Sequence, residues 1–563
     1  MEDTIFSSSS DEDFKFENQT FDNMLIERKL DTERDILFIN CTFKELVAFE
    51  NFTARAFDFM DCHFDKGLSI DKSTLNSLSF FNCDGWDIEI SANSSHSLSL
   101  RSVKANIIEI NGDYTELQIV SSTIKEIKLN NVNSTYSHRE SKINFLEDNK
   151  IQKVNLECST NFSIISFKAG IYDSVFFDGD FKKRILFSGN FEIKNLYLDG
   201  SVFQNRIDFE CGIFEHVSFY RSLFKGLILI SDVNYFENKP RELIIKSLTF
   251  HSCNFEKDVT VHIRKIQRFD TSNCNYLEIL NVNNFAVEKS DLVMISLAGV
   301  NKGTIIIEKT YADISLLGIN LGNIFFKDLD VSTFYLSEFQ NTGSVSFLNV
   351  KSGLFFVIQD SISGNLNFLN SDINVFNEII ITNSNIDGAN FNRYPLKILS
   401  FSKFPNAGYG IEKKSLRNHN LKNVYNQLKK TARLKGDVDS ANRFESLEHR
   451  QLLLSKKISF DSILLFLNLL SNNNGRSWFQ GIIFTLLVGL LFFTFYLKTI
   501  GINFGMDDCY QDYILFMTSF PKLSLASYYN DSWETQFIIW LSRIFISYGI
   551  YQTIAAFRKY GKG

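Results

Sequence analysis

The sequence predicts a mainly β protein: a parallel β-helix solenoid, then a helical hairpin, then two transmembrane helices. Three observations carry this. Short phrases centred on Cys or Phe recur about every 21 residues through residues 33–405. Proline is nearly absent, 4 residues against 57 Phe in a chain of 563, which leaves long runs of regular backbone available. Residues 479–497 and 535–557 are apolar runs of membrane-crossing length.

The N-terminal stretch MEDTIFSSSSDEDFKFENQT is acidic and polar and contains no apolar signal run. Together with eight thinly spread cysteines, this predicts a chain whose bulk is cytoplasmic and free of disulfides. A formal charge of −7 argues against a nucleic-acid partner. Residues 1–32 read as a tail and cap, since the open end of a solenoid would otherwise recruit foreign strands.

Residues 33–405 carry the repeat. Cys41, Cys62 and Cys83 are 21 apart, as are Cys253 and Cys274, and Cys211 lies 42 before Cys253. The surrounding text recurs as FINCTF, FMDCHF, FFNCDG and TFHSCNF. Phe181, Phe203 and Phe224 repeat at 22 and 21, with Phe191 and Phe214 between them. Alternating runs closed by Gly, Asn, Asp or Ser are strand-like. A leucine-rich repeat shares the period, but its leucine pattern and helical half are missing. In a β-helix, inward positions stack Cys on Cys and Phe on Phe, which explains the Phe content without a ligand. Uniform 21-residue coils give about 17 turns and a length of roughly 80 Å. Pro395 and Pro405 fall where the repeat stops.

Residues 411–475 read as a helical connector with a juxtamembrane helix. Leu421, Val424, Tyr425, Leu428 and Ala432 share one helical face, Gly436-Asp437 interrupts, and Ala441, Phe444 and Leu447 resume the spacing. The pair is similar to one tetratricopeptide-like unit joining domains, with Lys429, Lys430 and Lys435 facing solvent. The run ISFDSILLFLNLL, 458–470, either lies on a membrane surface or packs on the helices that follow. Residues 476–563 then form a two-helix membrane domain. Lys456, Lys457 and Arg476 precede the first crossing, and Arg558, Lys559 and Lys562 follow the second. Positive charge inside places both termini in the cytoplasm and the protein in an inner membrane.

FINCTF and GANF resemble the repeats of bacterial pentapeptide-repeat and related right-handed β-helix proteins, which implies a right-handed solenoid. The order β-helix, helical hairpin, NNNGRSW, two crossings and YQTIAAFRKYGKG resembles a group of bacterial membrane proteins with pentapeptide-like repeats. Their C-terminal layout is similar to that of two-helix ion-channel subunits. The resemblance implies an oligomeric, channel-like membrane protein.

In such a channel the stretch DCYQDYILFMTSFPKLSL would re-enter the outer membrane face as a short helix ended by Pro521. It lacks TVGYG, so no potassium filter carries over. Asp507, Asp508 and Asp512 would set charge selectivity at the mouth. Arg543, eight residues into the second crossing, fits three roles: lining a pore, pairing with a loop aspartate, or snorkelling to phosphates. The alternative is a membrane-anchored scaffold that binds a protein or small ligand along its β-faces without conducting. An enzyme is not expected. No spaced carboxylate set, HExxH or CxxC occurs, no catalytic residue, metal site or cofactor is predicted, and His251 beside Cys253 reads as a core pair. Membrane lipid and further copies of the chain are the expected partners.

Overall fold

The computed structural model describes residues 13–22, 24–26, 33–133, 141–158, 164–231, 242–263, 265–283, 292–351, 353–391, 398–399, 414–455, 459–501, 509–518 and 532–561. Among the described residues the chain is a parallel β-solenoid of about 15 turns followed by six C-terminal helices. Contacts divide it into two compact units, Met1–Phe356 with Asn365–Phe376, and Val357–Gly364 with Asn377–Gly563.

Among the described residues every strand pairing of the first unit is parallel, and each coil lies on the next with a bulge in some pairings. One column runs Phe14, Ile36, Phe57, Leu78, Leu98, Leu117. The ladder therefore includes Phe14–Glu17, inside the segment that the sequence assigned to a cap. The turn count falls below 17 because coils are not uniform. Leu117 pairs with Ile143, Ile228 with Val259 and Leu280 with Ile305, separations of 26, 31 and 25 residues.

Identical residues one coil apart must sit about 4.8 Å apart, the spacing of paired strands. Flat rings can fill that spacing face to face. Phe38, Phe59 and Phe80 stack at 5.2 and 5.0 Å. Phe181, Phe203, Phe224, Phe255 and Tyr276 form a second column at 5.1–5.3 Å. Phe191 and Phe214 meet edge to face at 5.4 Å. Each such pair contributes about 0.5–1.5 kcal/mol beyond its burial.

The cysteines mark corners. Asn40, Asp61 and Asn82 take left-handed φ of 50°, 54° and 50°, a conformation that Asn and Asp adopt readily. The next residue then points inward: Cys41, Cys62 and Cys83, all buried and all free thiols. Each Sγ donates to the carbonyl two residues back, at 3.4, 3.3 and 3.4 Å. The adjoining Cys62 thiol and burial push the Cys83 thiol far above the ordinary thiol range, which suits a packing group rather than a nucleophile. Cys253 and Cys274 occupy a different corner, below which lie Ser222 and Ser201. Cys211 is not in their column. The lengthened coil puts Ser222 one coil and Ser201 two coils beneath Cys253, where a uniform period would put Cys211, and the Cys211 Sγ accepts from the Gly189 N–H at 2.7 Å.

In the second unit, α1 (Lys414–Leu434) and α2 (Val438–Ser455) form a hairpin. Leu421, Val424, Tyr425, Leu428 and Ala432 are buried against Ala441 and Phe444. Gly436 takes φ +74°, and Asp437 Oδ1 caps the Ser440 N–H at 3.0 Å. Gln427 binds the backbone of the solenoid within this unit: its Oε1 accepts from Ile386 N at 2.7 Å and its Nε2 donates to Ser384 O at 3.1 Å. Two lysines expected in solvent have partners. Lys429 Nζ lies 2.6 Å from Glu448, both side chains largely buried, and Lys435 donates to Asn390.

Candidate membrane-facing site

Four further helices complete this unit: α3 (Phe460–Asn472), α4 (Trp478–Thr499), α5 (Cys509–Met517) and α6 (Trp533–Gly561). Helices α4 and α6 are long and apolar enough to cross a membrane, yet only 33% and 17% of their most apolar windows are buried. Phe479, Leu486, Leu487, Leu491, Phe537 and Trp540 stand exposed. A core helix of a water-soluble protein would bury such side chains.

What these helices do bury is partly polar. The NNNG turn after α3 is left-handed at Asn473 (φ 51°), Asn474 (57°) and Gly475 (87°), which only Asn and Gly tolerate well. Asn472 Nδ2 donates to Gln552 Oε1 and O on α6, at 2.7 and 3.1 Å. Asn468 Oδ1 accepts from Gln552 Nε2 at 2.8 Å and Tyr548 Oη at 2.5 Å. Gln480 on α4 reaches back to the carbonyls of Leu469 and Leu470. The α4–α6 contact is close because glycines face threonines. A Cβ on Gly481 would stand 2.5 Å from Thr553 Oγ1, and one on Gly549 would stand 2.3 Å from Thr485 Oγ1.

Helix α5 packs on α4, with Phe516 5.5 Å from the Phe493 ring and 5.6 Å from Tyr496. Tyr513 Oη donates to Leu486 O at 2.6 Å. Arg543 of α6 closes the C-terminal end of α5, where carbonyls lack helical partners. Its Nη1 donates to Phe516 O at 2.7 Å and Thr518 O at 2.5 Å, and its guanidinium lies 5.5 Å from the Phe516 ring. Of the roles weighed for Arg543, pairing within the protein fits this geometry, with backbone carbonyls as partners rather than an aspartate. Asp512 is buried in the first turn of α5. Asp507, Asp508 and Pro521 lie outside the described residues.

On the solenoid, a groove of about 670 Å³ is lined by Trp86, Lys104, Lys125, Lys150, Ile171 and Asp173. Trp86 is 66% exposed. Beside the groove, His63 lies between Asp84 at 2.6 Å and Asp65 at 2.7 Å. Asp84 above all, then Asp65, push its imidazole above the ordinary range. A raised pKa stabilises the fold below the unfolded value of about 6.5, and the gain is lost as pH rises through the folded value. The unfolding midpoint is expected to fall as pH rises above about 6.5, and by less in His63→Gln; the effect is small because the site is half exposed. Equal slopes in thermal melts of the two proteins would exclude it. Among the described residues no group of His, Cys, Asp and Glu is placed to hold a metal.

No family model, no curated protein and no solved structure matches this chain.

Proposed function

We propose that the protein is a membrane-anchored β-solenoid. Helices α4 and α6 cross the bilayer as a pair, and the solenoid serves as a scaffold or sensing module on the cytoplasmic side. The observation that carries this is the outward apolar surface of α4 and α6 around a polar, glycine-tightened contact. Water penalises that order of residues and hydrocarbon favours it. Basic residues before α4 and after α6 orient both termini to the cytoplasm of an inner membrane. The groove at Trp86 offers a protein or small ligand an aromatic surface flanked by lysines. Full-length protein is expected to float with vesicles in a density gradient and to resist alkaline extraction. Recovery in the soluble fraction after both treatments would overturn the anchor.

One observation favours a conducting oligomer as a second reading. Helix α5, between two long apolar helices in sequence, packs on α4 in the manner of a re-entrant segment. In this reading several copies close a ring, and Arg543 at the α5 terminus biases the path towards anions. Purified protein in planar bilayers should then carry current, with its anion preference reduced in Arg543→Gln. A monomer that carries none leaves the anchored scaffold alone.

A further inference from the structure

Helix α3 is built inside out. It turns Ser462, Ser471 and Asn472 into the protein, where all three are buried, and leaves Phe460, Ile463, Leu464, Phe466 and Leu470 exposed. A helix on a water-soluble protein shows the reverse. The orientation is fixed by its polar side. Asn468 holds Tyr548 and Gln552, and Asn472 holds Gln552 and accepts from the Gly475 N–H at 2.8 Å. A roll that hid the leucines would break these bonds. Asp461, in the first turn, is the only charged residue of α3.

Length separates α3 from its neighbours. Its 13 residues span about 20 Å at 1.5 Å per residue. That falls short of the roughly 30 Å of a bilayer core. It packs against both α4 and α6, so its apolar stripe is continuous with theirs and meets the same medium.

We propose that α3 is a third membrane-embedded element, lying in one leaflet with Ile463, Leu464, Phe466 and Leu470 among lipid acyl chains and not crossing. This rests on the anchored reading above. The occupant is acyl chain rather than a second copy, because the exposed stripe runs on into surfaces that two crossing helices present to lipid.

The test is site-directed spin labelling of full-length protein in phosphatidylcholine–phosphatidylglycerol vesicles. Labels are placed one at a time by Ile463→Cys, Phe466→Cys and Leu470→Cys, with Cys158 and Cys509 replaced by Ser and the six buried thiols left in place. Leu487→Cys on α4 and Leu434→Cys at the hairpin tip, 89% exposed as leucine, are the references. The expected result is a ratio of oxygen to nickel-chelate accessibility at all three α3 sites that matches Leu487→Cys and exceeds Leu434→Cys. Nickel access at α3 with lipid access at Leu487→Cys overturns the inference and leaves the anchor standing. Shielding of α3 from both probes overturns it in favour of a second copy on this face. Nickel access at Leu487→Cys as well removes the anchored reading itself.

Discussion

The double variant Leu487→Lys, Leu491→Lys is expected to vanish from the membrane fraction. The two leucines are 60% and 51% exposed, one turn apart near the middle of α4. A lysine at the centre of a crossing helix costs about 2.5–3.5 kcal/mol for insertion, so two cost about 6 kcal/mol, or roughly four powers of ten in the inserted fraction. On a water-soluble protein the same change would act the other way, removing an apolar patch and improving solubility. The sign of the effect therefore decides the surrounding medium. Leu277→Lys, at a similarly exposed leucine of the solenoid, is the control and should leave membrane recovery unchanged. Unaltered flotation of the double variant would mean that α4 does not cross.

The parts legible in the sequence are those that repeat with a fixed chemical identity. Cys41, Cys62 and Cys83 advertise a corner because each is the buried residue that follows a left-handed one, and Phe181, Phe203 and Phe224 advertise a column because rings fill the coil spacing. The second cysteine corner also accepts serine: Ser201 and Ser222 stand in the column of Cys253 and Cys274, each donating to the carbonyl two residues back like the cysteines. Serine carries no pattern against a serine-rich background, so spacing pointed to Cys211 instead. Insertions had the same effect on the coil count, since an average period hides a lengthened coil. For the candidate site, composition marked α4 and α6, and NNNG was visible as a phrase. The partners of Asn468 and Asn472 were not, because Tyr548 and Gln552 lie about eighty residues away and inside an apolar run. Lys429 was assigned to solvent because the helix periodicity that placed it says nothing about Glu448 on the next helix.

Gly322→Val is expected to open one end of the solenoid without disturbing the other. A Cβ at Gly322 would stand 1.9 Å from the Gly303 carbonyl oxygen, and a Cβ at Gly343 would stand 1.9 Å from that of Gly322. These are backbone atoms fixed by the ladder, so no side chain can swing aside. Beside this glycine column runs a buried amide ladder: Asn301 Nδ2 donates to Asn320 Oδ1 and Asn320 Nδ2 to Asn341 Oδ1, each at 2.7 Å. The corner sequence Asn-x-Gly at 301–303, 320–322 and 341–343 supplies both columns. Pushing the coils apart at Gly322 therefore stretches the amide ladder too, and the combined loss should reach about 4 kcal/mol or more. Asn320→Ala removes the amides alone and should cost about 2 kcal/mol. Because a solenoid's stability is a sum of coil and nearest-neighbour terms, the loss stays local. Amide exchange should accelerate strongly across residues 304–348 and hardly at all across residues 35–101. Equal acceleration in both stretches would refute the nearest-neighbour account, and none in either would refute the clash.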